Sequence, residues 1–247
     1  VARERAEPMS VGRSAASFGL ATALGHASQL LWLAAGIRIM SPADFGSVLA
    51  AQALYGVLQI VVDVGTNVVG ARMVARGELD ADGRGRIVRM RLALAIAVTP
   101  VALLLGVLNV SGSLEATLPF VLALFLFAAL NVWEPYGAGD ARPWATYMFA
   151  RSGVLALVAC GIYAAGGSFP LPLAGALECV AIVAVMAIFG TRPLAALRAA
   201  ARVRGGPWRS VFEVVGPAFT TQTSMAAGTL VLSGSGRPAA AGIFAAC

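Results

Sequence analysis

FGSVLAAQALYGVLQIVVDVGTNVV, residues 45–69, runs 18 residues from Phe45 before it meets its first charge, Asp63. A helix rising about 1.5 Å per residue carries Asp63 about 27 Å from Phe45, close to the ~30 Å of hydrocarbon in a bilayer. The stretch reads as a helix whose solvent is lipid. Asp63 then falls in the inner third of the membrane rather than at its centre, and a carboxylate at that depth needs a reason.

The composition extends this reading to the whole chain. Of 247 residues, 59% are hydrophobic and 12% charged, against roughly 45–50% and about 25% in soluble domains. A soluble fold would lack the polar surface to cover so large an apolar core. All 18 basic residues are arginine, against 12 acids, for a net charge of +6. They fall between apolar stretches, which makes them a topology signal rather than a nucleic-acid footprint. The expected fold is all-α, a polytopic transmembrane helix bundle.

Six apolar segments of spanning length are expected at 14–39, 45–69, 91–109, 117–134, 144–166 and 171–190, with a seventh at 211–233. The first exceeds a signal-peptide core and is read as a retained helix. Pro100 is expected to kink the third. Ser41-Pro42, Ser111-Gly112-Ser113, Glu134-Pro135, Gly166-Gly167 and Gly205-Gly206-Pro207 mark breaks. Gly83 and Gly85 read as parts of a basic turn.

Fifteen of the 18 arginines fall in the N-terminal tail, in the connection holding Arg72 to Arg91, at Arg142, and between Arg192 and Arg209. Arg38 and Arg237 lie on the opposite side, and Arg151 lies within a span. The positive-inside rule then places the tail and the even connections in the cytoplasm. Residues 1–190 form a six-helix lobe, 191–210 a basic linker, and 211–247 the start of a second lobe. Within the linker, Arg198 and Arg202 share one helical face, with Leu194, Leu197 and Ala201 opposite, as in a helix lying at the headgroup layer. Cys160, Cys179 and Cys247 lack metal-ligand spacing, and the first two read as packing residues.

AAGIRIMS at 34–41 returns as AAGTLVLS at 226–233, an offset of 192 residues. With six spans per unit, the complete protein is expected to carry about twelve or more, two repeats being common transporter design, and this chain reads as its N-terminal portion. Met40-Ser41-Pro42-Ala43-Asp44-Phe45-Gly46, Asp63-Val64-Gly65 and Ala241-Gly242-Ile243-Phe244 resemble the Wzx-type polysaccharide biosynthesis flippases, in the superfamily of MATE exporters and the lipid II flippase. The resemblance implies a bacterial inner-membrane transporter with two six-helix bundles around a central cavity. Its cargo would be an undecaprenyl-diphosphate-linked oligosaccharide, and a glycan polymerase and glycosyltransferases would be its working partners. No cofactor or metal is implied.

Five in-span residues are cavity candidates: His26, Arg38, Asp63, Arg151 and Glu178. Asp63 and Arg151 each lie nine residues from a cytoplasmic arginine, so their levels coincide and they are expected to pair. Hydration of Asp63 with snorkelling of Arg151, or a direct transport role, are the other readings. His26 is either a proton-coupling group or a neutral histidine bonded to a neighbouring helix. Glu178 could couple a cation, bind a sugar hydroxyl, or face the cavity protonated. Gln29, Gln59 and Asn131 suit interhelical hydrogen bonds. A flippase cavity should be cationic for its diphosphate, yet these deep groups are of mixed sign. A MATE-like antiporter and a non-catalytic or inactive membrane fragment are the alternatives. An enzyme is disfavoured because no catalytic cluster or phosphate-binding loop is present.

Overall fold

The computed structural model describes residues 11–109, 114–140, 142–189 and 193–202. These form α1 (Val11–Ile39), α2 (Pro42–Asp63), α3 (Thr66–Ala75), α4 (Ala81–Asn109), α5 (Leu114–Ala129), α6 (Trp133–Gly137), α7 (Arg142–Ala164), α8 (Leu173–Ile188) and α9 (Pro193–Arg202), with no strand among the described residues. The protein is an all-α polytopic bundle and membrane-embedded. Among the described residues, four segments are long and apolar enough to cross a bilayer: Pro42–Asp63, Ala81–Leu108, Leu114–Gly137 and Ala145–Ala164.

Two expected spans depart from the sequence reading. The first is a helix, α1, but His26, Ser28 and Gln29 interrupt its apolar run and it is not among the four. The sixth is the shorter α8, 16 residues, or about 24 Å at helical rise. The seventh span, the second-lobe start at 211–247, the returned motif and Cys247 lie outside the described residues.

Helix starts follow local chemistry. Pro42 opens α2 at the position where a missing N–H does no harm, and the Ser41 hydroxyl accepts from the Asp44 N–H at 3.1 Å. The end of α2 is less ordinary. Val64 (φ 46°) and Gly65 (φ 69°) are consecutive left-handed residues, so the chain breaks there and restarts as α3. The stretch 45–69 is therefore one helix plus the first turn of another. A second break falls at residues 130–132, between α5 and α6, and the Glu134-Pro135 expected to break the chain is itself helical. Gly83 and Gly85 are likewise inside α4, not in a turn, and α4 runs unbroken through Pro100.

Burial identifies the central helices. Two thirds (67%) of the apolar window is buried in α2 and in 114–137, but only 22% in α4 and 28% in α7. α2 packs on α4 and α5, α5 on α8, α7 on α1 and α8, and α9 on α4. Beyond the two breaks, α3 packs on α6. That contact needs glycine: a Cβ on Gly70 would stand 2.6 Å from the Trp133 ring. Large apolar side chains face outward from the spans, among them Ile96, Leu122 and Leu157, as a lipid solvent allows. Cys160 is exposed on this outer face rather than packed, whereas half-buried Cys179 sits 3.3 Å from the Pro119 carbonyl.

Candidate functional site: two stacked ion pairs inside the bundle

The interior polar groups start from a spacing. On α2, Tyr55, Gln59 and Asp63 follow one another at four-residue intervals, which puts them on one face, one turn apart. Tyr147 and Arg151 do the same on α7. Helix α8 contributes Glu178, 5% exposed, from a surface that is otherwise apolar.

These three faces meet in one network. Arg151 Nε lies 3.2 Å from Glu178 Oε2. The hydroxyls of Tyr55 and Tyr147 donate to Glu178 Oε1 at 3.2 and 3.0 Å. Gln59 donates to the Tyr147 hydroxyl at 2.9 Å and accepts from Arg151 Nη1 at 3.2 Å. The Arg151 guanidinium also lies 5.4 Å from the centre of the Tyr55 ring, in cation–π range. Both carboxylate oxygens are engaged, and the arginine is held by an acid, an amide and a ring. By helical rise Arg151 is about 13 Å above the start of α7 and Glu178 about 15 Å from the end of α8. The pair therefore sits well inside both helices, away from their ends.

A second layer lies one turn further along α2. Arg91, with no exposed surface, donates from Nη2 to Asp63 Oδ1 at 3.1 Å and from Nη1 to the Leu130 carbonyl at 2.8 Å. It thus bonds to both helix breaks at once. Asp63 Oδ1 also accepts from the Thr66 hydroxyl at 3.0 Å and the Asn67 N–H at 3.2 Å, capping the first turn of α3. Phe127 joins the layers: the Arg91 guanidinium lies 4.7 Å from its ring centre, and the ring is 6.2 Å from that of Tyr147. Around this layer, Asn67 Oδ1, Arg91 Nε, Asn131 Oδ1 and Trp133 Nε1 are buried without a partner among the described residues.

The expected Asp63–Arg151 pair is therefore corrected. Arg151 reaches α2 at Gln59, one turn above Asp63, so the coincidence of levels was off by about 6 Å. Arg91, which the sequence places in the cytoplasmic connection, is interior. Its place was legible in one respect, since it follows buried Ile87 by four residues and so shares its face. Asp63, Arg151 and Glu178 are brought into the interior, whereas His26 and Arg38 are exposed on α1. Arg38 donates to the Ala34 carbonyl of its own helix at 3.2 Å. Of the three amides, Gln59 makes interhelical bonds, Asn131 is buried with its oxygen unpartnered, and Gln29 is exposed.

Outside the spans, Asp140 and Arg142 form a bidentate pair at 2.8 Å. The Arg142 hydrogen bonds hold the Asp140 carboxyl below the usual range. No group of three or more His, Cys, Asp or Glu side chains that could hold a metal occurs among the described residues.

Fold and site together define a class: a helical membrane bundle with internally compensated charge. No family model, curated protein or solved structure matches the chain.

Proposed function

We propose that the chain is a transport lobe of the inner membrane, multi-pass with a cytoplasmic N-terminus, moving a polyprenyl-diphosphate-linked oligosaccharide for surface polysaccharide synthesis. The observation that carries this reading is the Arg151–Glu178 pair with its two tyrosines. A charged group at bilayer depth is disfavoured by at least about 2.5–3.5 kcal/mol, so such groups mark transport pathways and internal relays more often than passive packing. The motif resemblance at residues 40–46 and 63–65 narrows transport to lipid-linked glycans. The arginine distribution supports the orientation.

The charge balance also bears on the rival antiporter. Asp63 and Glu178 are the deep carboxylates that a coupling cation would seek, and each is held by an arginine. A cation would have to displace a guanidinium to bind there. The flippase reading has the converse requirement, since the two interior arginines among the described residues are neutralised and a diphosphate must meet cations elsewhere.

Reconstitution distinguishes the readings. Vesicles containing the full chain and a short prenyl-diphosphate-linked sugar should expose that sugar to an external lectin at a protein-dependent rate, and Arg151→Met should abolish it. Efflux of a cationic dye driven by a sodium or proton gradient, without glycolipid movement, would favour the antiporter. Inactivity toward both would favour a structural subunit.

A further inference from the structure

An apolar groove of about 540 Å³ opens between α4, α5, α8 and α9. Leu92, Phe125, Ala129, Met186, Ala187 and Leu197 line it. The groove lies toward one end of the bundle, because Ala129 is the last residue of α5 and Ala187 is next to the last of α8. α9 packs there on α4 and α5 and contributes Leu197.

The neighbouring residue on α9, Arg198, is exposed, as is Arg202 one turn later. α9 carries no acid. Neither arginine has an ion pair or hydrogen bond among the described residues. Ala200, on the opposite side of α9, is 5% exposed. The helix therefore packs at Ala200 and, among the described residues, leaves two guanidiniums without a partner beside an apolar slot.

A hydrocarbon tail beneath and an anionic head above is the chemistry that satisfies both features. Guanidinium is suited to phosphate oxygens because its planar fork can bond two at once. Basic sites against the ends of spanning helices are known to take acidic lipid headgroups. We propose that this groove is a binding site for one anionic phospholipid, its acyl chain lying along Leu92, Phe125 and Met186 and its phosphate held by Arg198 and Arg202. A neutral lipid would fill the slot but leave the arginines unused. The inference rests on the chain being embedded in lipid and is independent of the transport reading.

Native mass spectrometry of the full chain, released from phosphatidylcholine vesicles containing a minor share of phosphatidylglycerol, tests it directly. One phosphatidylglycerol should be retained in preference to phosphatidylcholine. Each basic residue near an anionic headgroup is worth about 1 kcal/mol, so Arg198→Gln with Arg202→Gln should lower that preference roughly thirty-fold. Ala187→Trp, which fills the slot, should reduce retention of both lipids. Thermal unfolding of each variant separates loss of lipid from loss of fold. If Ala187→Trp unfolds, Ala187→Leu and the double arginine variant decide. Equal retention of the two lipids, unchanged preference in the arginine variant, or unchanged retention with the slot filled would each overturn the site. Preferential retention of an added polyprenyl diphosphate, or displacement of lipid by a second copy of the chain, would also do so.

Discussion

Removing the Glu178 carboxylate while Arg151 remains leaves a guanidinium inside the bundle with two tyrosine hydroxyls that have lost their acceptor. Breaking a buried pair from one side typically costs about 3–5 kcal/mol, whereas replacing both partners with apolar groups is often nearly neutral. Glu178→Leu should therefore destabilise strongly, and Arg151→Met with Glu178→Leu should cost much less than the two single changes combined. Unfolding of the four proteins in detergent measures this coupling. Additive losses would mean that the two side chains do not act as a pair. Asp140 is a milder case at the water interface. Its folded carboxyl titrates below its unfolded value because of Arg142, so its contribution is present above the ordinary carboxylate range and lost as pH falls through the depressed value. Arg142→Gln should flatten that acid-side loss, read from unfolding at a series of pH values.

Among the helices, the telling features are the paired breaks after α2 and α5, both bonded to Arg91. Gly65 has φ 69°, where an alanine would strain, so Gly65→Ala should destabilise by roughly 1 kcal/mol or more. Gly70→Ala should cost about 1–3 kcal/mol, because its Cβ would press on Trp133 and force α3 away from α6. A cysteine pair across the α3–α6 contact should then cross-link more slowly in Gly70→Ala than in the parent chain. Equal rates would show that the close approach does not hold the two helices. These breaks mark the limit of what the sequence discloses. Residues 45–69 read as one span on apolar length, although Asp63, Gly65, Thr66 and Asn67 are a cluster of turn-forming residues that marks the break; left-handed Val64 runs against the preference of a β-branched residue. Helix existence was legible from apolar length, as α4 and α7 illustrate. The partner of Asp63 was not, because depth along α2 does not say which helix faces it: the partner is Arg91 on α4, which packs on α2, and not Arg151 on α7. The four-residue spacing of Tyr55, Gln59 and Asp63, and of Tyr147 and Arg151, was present in the sequence and would have narrowed the choice.

For the molecule as a whole, the central claim is that hydrocarbon bathes the outer faces of the spans while paired charges stay inside. Exposed Leu122 and Leu157 (57% and 72% exposed) lie on α5 and α7, and Ile96 (64%) on α4. Spin labels at these three positions, in the chain reconstituted into bilayers, read that claim through collision rates with oxygen, which concentrates in hydrocarbon, and with a water-soluble nickel chelate. We expect oxygen collisions to dominate at all three. Domination by the nickel chelate at these positions would place water against the helices and contradict the membrane-embedded bundle.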